Sequence, residues 1–148
     1  MALRLVRYAD AAAFAAVALP AWAADPARHT IVAAHDRHAE ARFVADVLGR
    51  PAPVSFGPFA VVELDNGVSL DFADFMDEVV TQHYAFLITE DEFDAVAERL
   101  SERGVATFAD PGHATPGHNT NDGGRGLYFS SPDGHNLEVI TRPYGSGG

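Results

Sequence analysis

The chain has no cysteine and no lysine. The first absence excludes a disulfide framework, a thiolate nucleophile, and zinc–thiolate or iron–sulfur centres. The second excludes Schiff-base chemistry and the lysine of a phosphate-binding loop. Positive charge is scarce: ten Arg oppose 21 Asp and Glu in 148 residues, for a formal net charge of −11. Nucleic acid and anionic membranes carry the same sign, so neither is an expected partner. No apolar run is long enough to span a bilayer. What remains is the chemistry of His, carboxylate, Tyr and Ser. Hydrophobic residues are not scarce: at 47% they suffice for the core of a single domain of this length.

Residues 1–27 read as a leader. Arg4 and Arg7 precede a small-residue apolar run from Ala11 to Leu19, followed by Pro20 and Ala21-Trp22-Ala23, which is the order of a secretory signal. The run is short and Ala-dominated, and Asp10 interrupts its approach. The expectation is therefore an extension upstream of a cytoplasmic domain; cleavage after Ala23 would instead make the protein exported. The domain is expected over 28–144, with a Gly-rich, disordered tail at 145–148.

From Arg28 onward, short β-branched runs alternate with amphipathic stretches. His29 to Ala33 reads as a strand. Asp36 to Leu48 reads as a helix with Asp36 as N-cap and Gly49 past its end. Strands follow at Pro58–Leu64 and Val68–Phe72, joined by an Asp65-Asn66-Gly67 hairpin turn, because Asn-Gly accepts the positive φ a tight turn needs. After a connecting loop, the series recurs: strand His83–Thr89, helix Glu92–Arg103 stopped by Gly104, strand Val105–Ala109, a long polar loop, strand Gly126–Phe129 and strand Asn136–Thr141. The expected fold is α+β: two βαβββ modules, about 28–75 and 82–142, forming a curved, partly open mixed sheet barrel. The halves superpose with His29 on His83 and Asp36 on Glu90, an offset of 54 in both cases.

Three residues stand out as metal ligands. His29 and His83 each open the first strand of a half. Glu138 sits among Leu137, Val139 and Ile140, where a carboxylate is costly unless a cation or donor meets it. Each alone reads more simply as a structural or solvated residue. Together, two neutral imidazoles and one carboxylate make a facial triad with open positions, which suits non-haem Fe(II) or Mn(II). Asp71 is a candidate fourth ligand, against the plainer reading of a solvated strand residue. His35, His38 and His113 fall at a helix entrance and in a loop and receive no role.

Several segments resemble the vicinal oxygen chelate superfamily, which includes glyoxalase I, fosfomycin- and bleomycin-resistance proteins and type I extradiol dioxygenases. They are His29-Thr30-Ile31-Val32, Gln82-His83-Tyr84-Ala85-Phe86, Asn121 to Phe129, and Ser131-Pro132-Asp133-Gly134-His135-Asn136-Leu137-Glu138. The Asp-Gly-Gly-Arg-Gly loop and the Thr141 to Gly145 ending resemble its single-domain extradiol-type branch. The resemblance implies a metal held by His29, His83 and Glu138, and Tyr128 as the hydroxyl that touches a bound catecholate. It implies an Fe(II) oxygenase taking dioxygen and a small catechol-like or polyketide-derived aromatic, with His118 and His135 as proton-transfer candidates. Two alternatives stay open: a glyoxalase-like isomerase using Ni(II) or Zn(II), which would need Asp71, and a metal-free protein that sequesters an antibiotic. The unpaired sheet edges of each half imply a homodimer.

Overall fold

The computed structural model describes the backbone of residues 4–5 and residues 28–147. The candidate signal segment lies outside the described residues, apart from Arg4–Leu5. In chain order the elements are β1 (Arg4–Leu5), β2 (Arg28–Ala33), α1 (Arg37–Leu48), β3 (Val54–Phe56), β4 (Phe59–Glu63), β5 (Val68–Ala73), β6 (His83–Leu87), α2 (Glu90–Glu102), β7 (Gly126–Ser130) and β8 (Asn136–Ile140). They form an α+β fold with two separate four-stranded sheets, ordered β2-β5-β4-β3 and β1-β6-β8-β7, and no closed barrel among the described residues.

Both helices start where a side chain replaces missing backbone partners. The Asp36 carboxylate accepts from the amides of His38 and Ala39, each at 2.9 Å, which fixes the first turn of α1. Gly49 ends that helix at φ 66°, and a Cβ there would lie 3.0 Å from the Arg99 guanidinium. Thr89 and Glu92 form a capping box that starts α2. The apolar faces of the helices (Ala41, Val44, Val47 and Leu48; Phe93, Val96 and Leu100) share one core with Val32, Val62, Leu70 and Phe72 of the first sheet and Phe86, Leu127, Phe129, Leu137 and Val139 of the second.

Strand alternation leaves every second residue on the opposite, outer face of each sheet. On the first sheet that face carries His29, Ile31, Val61, Ser69 and Asp71; on the second it carries His83, Ala85, Tyr128 and Glu138. The parallel pairs β2/β5 and β6/β8 have matching registers. Ile31 lies opposite Asp71, two residues past His29, just as Ala85 lies opposite Glu138, two residues past His83. Asp71 therefore occupies in the first module the position Glu138 occupies in the second.

Two strands differ from the sequence expectation. β3 is absent from the sequence reading, which places no strand between α1 and Pro58; it is an edge strand paired to β4, with all three of its residues exposed. The strand expected at Val105–Ala109 is reduced to bridges from Phe108 to Tyr128 and to Pro116. The cause is Asp110, whose carboxylate accepts from the amides of Gly112, Ala114 and Thr115 and turns the chain.

The modules are tied by buried polar groups around the Ser131–His135 turn. The His135 ring accepts from the Gln82 amide through Nδ1 at 3.0 Å and donates through Nε2 to the Ala33 carbonyl at 2.8 Å. Glu40 of α1, 1% exposed, accepts from the Asp133 amide. Among the described residues no helix is long and apolar enough to cross a membrane.

Candidate metal and substrate site

The outer face of the second sheet collects a polar cluster around Glu138. β6 and β8 run parallel, and β7 pairs antiparallel to β8 with Tyr128 directly opposite Glu138. This places His83, Tyr128 and Glu138 side by side because each occupies an outward position of its strand. Glu138 is 1% exposed. Its Oε2 lies 3.2 Å from Nε2 of His83, a residue that is itself solvent-exposed. Its Oε1 accepts the hydroxyl proton of Tyr144, and the Tyr144 and Tyr128 hydroxyls lie 2.8 Å apart. The His83 and Tyr128 rings stack with centroids 5.9 Å apart and planes 29° apart. Burial, then the hydrogen bonds with Glu138 and Tyr144, push the Tyr128 phenol far above its ordinary pKa, so it stays protonated.

A second cluster borders this one. The Phe108–Tyr128 bridge sets their side chains on the same face. The Phe108 ring stacks on His113 at 4.4 Å and 6°, and His113 Nε2 is 3.0 Å from the Asn136 side-chain oxygen. The Asn136 amide nitrogen donates to the Pro111 carbonyl. The result is a flat aromatic wall beside Tyr128. His113 had no role assigned from sequence, and nothing local in the sequence signals one: a loop folded around Asp110 brings it there.

The six sequence-predicted residues other than Tyr128 divide as follows. His83 and Glu138 come together. His29 does not join them within one chain: it lies on the outer face of the other sheet, and among the described residues no three His, Asp or Glu side chains converge as a metal site. His118 packs edge-on against Phe93 of α2, 6.0 Å between centroids, toward the helix side of the sheet. His135 is buried with both ring nitrogens committed to Gln82 and Ala33. Asp71 is half-buried, its carboxylate accepting from the Ser69 hydroxyl at 2.7 Å. Tyr144 was missed as a site residue; its signal was a lone aromatic at the very end of the expected domain.

No family model matches the chain. Among solved structures, oxidase ChaP-H2 is 57% identical, with a TM-score of 0.79, over 82% of this chain and 96% of that one. Oxidase ChaP-H1 is 60% identical, with a TM-score of 0.78, over 80% of this chain and 96% of that one. Among curated proteins, the glutathione transferase FosA of Serratia marcescens is 35% identical over 57 residues, 38% of this chain, and the match spans 34% of that protein's length.

Proposed function

The chain belongs to the vicinal oxygen chelate superfamily and is an enzyme of it; from that premise we propose that it is an Fe(II)-dependent oxygenase acting on a catechol-like or polyketide-derived aromatic ring. The observation that carries this reading is Glu138. A buried carboxylate in an apolar strand is costly unless cation or donor meets it. Here one oxygen is held by Tyr144 and the other is presented beside an exposed imidazole, His83. Imidazole and carboxylate donors suit a first-row divalent metal such as Fe(II) or Mn(II).

Two donors are too few for a stable centre, and a second copy of the chain supplies the third. In a homodimer, the outer face of the first module, with His29, covers the outer face of the partner's second module, with His83 and Glu138. The matched registers of β2/β5 and β6/β8 support this, since they give the two faces the same layout. So does exposure: Ile31, Val54, Phe56, Phe75, Met76 and Val80 are all exposed and all belong to the first module or the segment after it. Apolar side chains gathered in this way mark a surface that a partner covers.

When bound, Fe(II) supplies the electron path between an aromatic diol and dioxygen that closed-shell organics lack. The chain's own residues orient the substrate. Tyr128 places its hydroxyl beside His83, where a ring oxygen of the substrate arrives, and the Phe108–His113 stack offers a flat wall for the ring. That two relatives at 57% and 60% identity are oxidases supports oxidation over isomerisation.

The test is anaerobic reconstitution with Fe(II), then oxygen uptake with a panel of catechols and hydroxylated polycyclic aromatics. Uptake that depends on Fe(II) and vanishes in His83→Ala is expected. Uptake unchanged by His83→Ala would remove the proposal, and product formed under strict anaerobiosis would replace it with a glyoxalase-like isomerase.

A further inference from the structure

A carboxylate can meet a metal through one oxygen or through both, and the choice sets how many positions stay open for substrate. At Glu138 the two oxygens have different partners. Its Oε1 accepts the Tyr144 hydroxyl proton, which favours Oε2, the oxygen 3.2 Å from His83 Nε2, as the one that faces a cation. Tyr144 has a single hydroxyl proton and spends it on Glu138, so its oxygen accepts from Tyr128, 2.8 Å away. Of the two phenols, Tyr144 is the one that donates to Oε1 of Glu138.

The backbone around Tyr144 is pinned on both sides. Before it, the Thr141 amide donates to the Arg125 carbonyl at 2.9 Å, and the Arg125 amide donates to the Thr141 hydroxyl oxygen at 2.8 Å. After it, the Ser146 amide donates to the Pro143 carbonyl at 3.2 Å, and the Gly147 amide donates to the Asp122 carboxylate at 3.2 Å. The segment after β8 is thus folded back, and it delivers one phenol to one carboxylate oxygen.

We propose that Tyr144 is a positioning residue which fixes Glu138 as a one-oxygen metal ligand, an inference that rests on the metal-centre reading above. An outer partner of this kind orients the ligand and holds its geometry, and losing one typically costs about 10- to 100-fold in metal affinity. Tyr144 itself touches neither metal nor substrate in this role.

The experiment is a titration of the full-length protein with Co(II), whose visible absorption reports coordination geometry, comparing wild type, Tyr144→Phe and Tyr128→Phe. Tyr144→Phe should weaken Co(II) binding by about 10- to 100-fold and alter the visible band. Tyr128→Phe, which leaves the Tyr144–Glu138 bond in place, should change the band less than Tyr144→Phe does. If Tyr144→Phe binds Co(II) with wild-type affinity and spectrum, the inference fails and the metal-centre reading stands. A Tyr128→Phe variant whose band changes as much as that of Tyr144→Phe also overturns it, because the role then belongs to the hydroxyl pair. Wild-type protein that develops no Co(II) band overturns both.

Discussion

Glu40 carries the most quantitative prediction for stability. It sits on α1, is 1% exposed, and accepts from the Asp133 amide at 3.2 Å, while its Oε1 is buried without a hydrogen-bond partner. Burial raises its pKa first, and the nearby Asp133 charge raises it further; hydrogen bonds from Ser131 and Asp133 oppose the shift. A carboxyl with a raised folded-state pKa binds its proton more tightly folded than unfolded. Its contribution is therefore fully present below the unfolded value, near 4.5, and is lost as pH rises through the folded one. The substitution Glu40→Gln keeps the shape and removes the titration. A buried group left unsatisfied costs about 1–3 kcal/mol, and each kcal/mol moves the melting temperature of a domain this size by about 3–5 °C. Thermal melts of both proteins at pH 5 and pH 8, at equal protein concentration, read the effect directly. The variant's melting temperature minus that of wild type should grow between those two pH values. A difference that stays constant, or that shrinks as pH rises, refutes the reasoning.

Two further outcomes follow from neighbouring features. His135→Ala leaves the Gln82 amide and the Ala33 carbonyl without their shared partner and opens a cavity between the modules, so urea denaturation should show a loss of about 2–4 kcal/mol. Phe108→Ala removes the ring stacked on His113 beside Tyr128; steady-state oxygen uptake should show KM for the aromatic substrate rising by about 3- to 10-fold, with kcat changed less.

Much of the fold was legible because local chemistry and tertiary structure agree. Asp36 and Gly49 bound α1 as their residue types imply, and Asn66-Gly67 makes the turn between β4 and β5, with the Asn66 side chain accepting from the Val68 amide. α2 begins two residues before its apolar face suggests, because the Thr89–Glu92 capping box sets the start. What was not legible depends on distant partners. β3 forms only because β4 offers an edge, and Phe108 forms only a bridge because Asp110 gathers three amides just after it.

The candidate site divides in the same way. His83 and Glu138 meet because strand register places both outward on adjacent strands, which the matched module order foreshadowed. The pairing of modules through which His29 would reach them is not set by anything local. The separate sheets put it on another face, and intramodular hydrogen bonds cannot say which copy's second module it meets. His135 looked like a proton carrier by type; its two backbone partners, Gln82 and Ala33, lie 53 and 102 residues away and turn it into a tie between modules. Tyr144 and His113 reach the site through loops, whose paths no periodicity in the sequence encodes.

The proposal of a centre shared between two copies meets its most direct test in subunit mixing. Prepare His29→Ala and His83→Ala separately, exchange subunits at equal amounts, and measure tightly bound divalent metal per chain. Each variant alone has no intact site. Half of the mixed dimers pair one variant with the other, and in each of those one site regains all three ligands, so tight binding should return to about one quarter of the wild-type content. A mixture that binds no more metal than the separate variants would contradict the shared centre, as would His29→Ala alone binding metal like wild type.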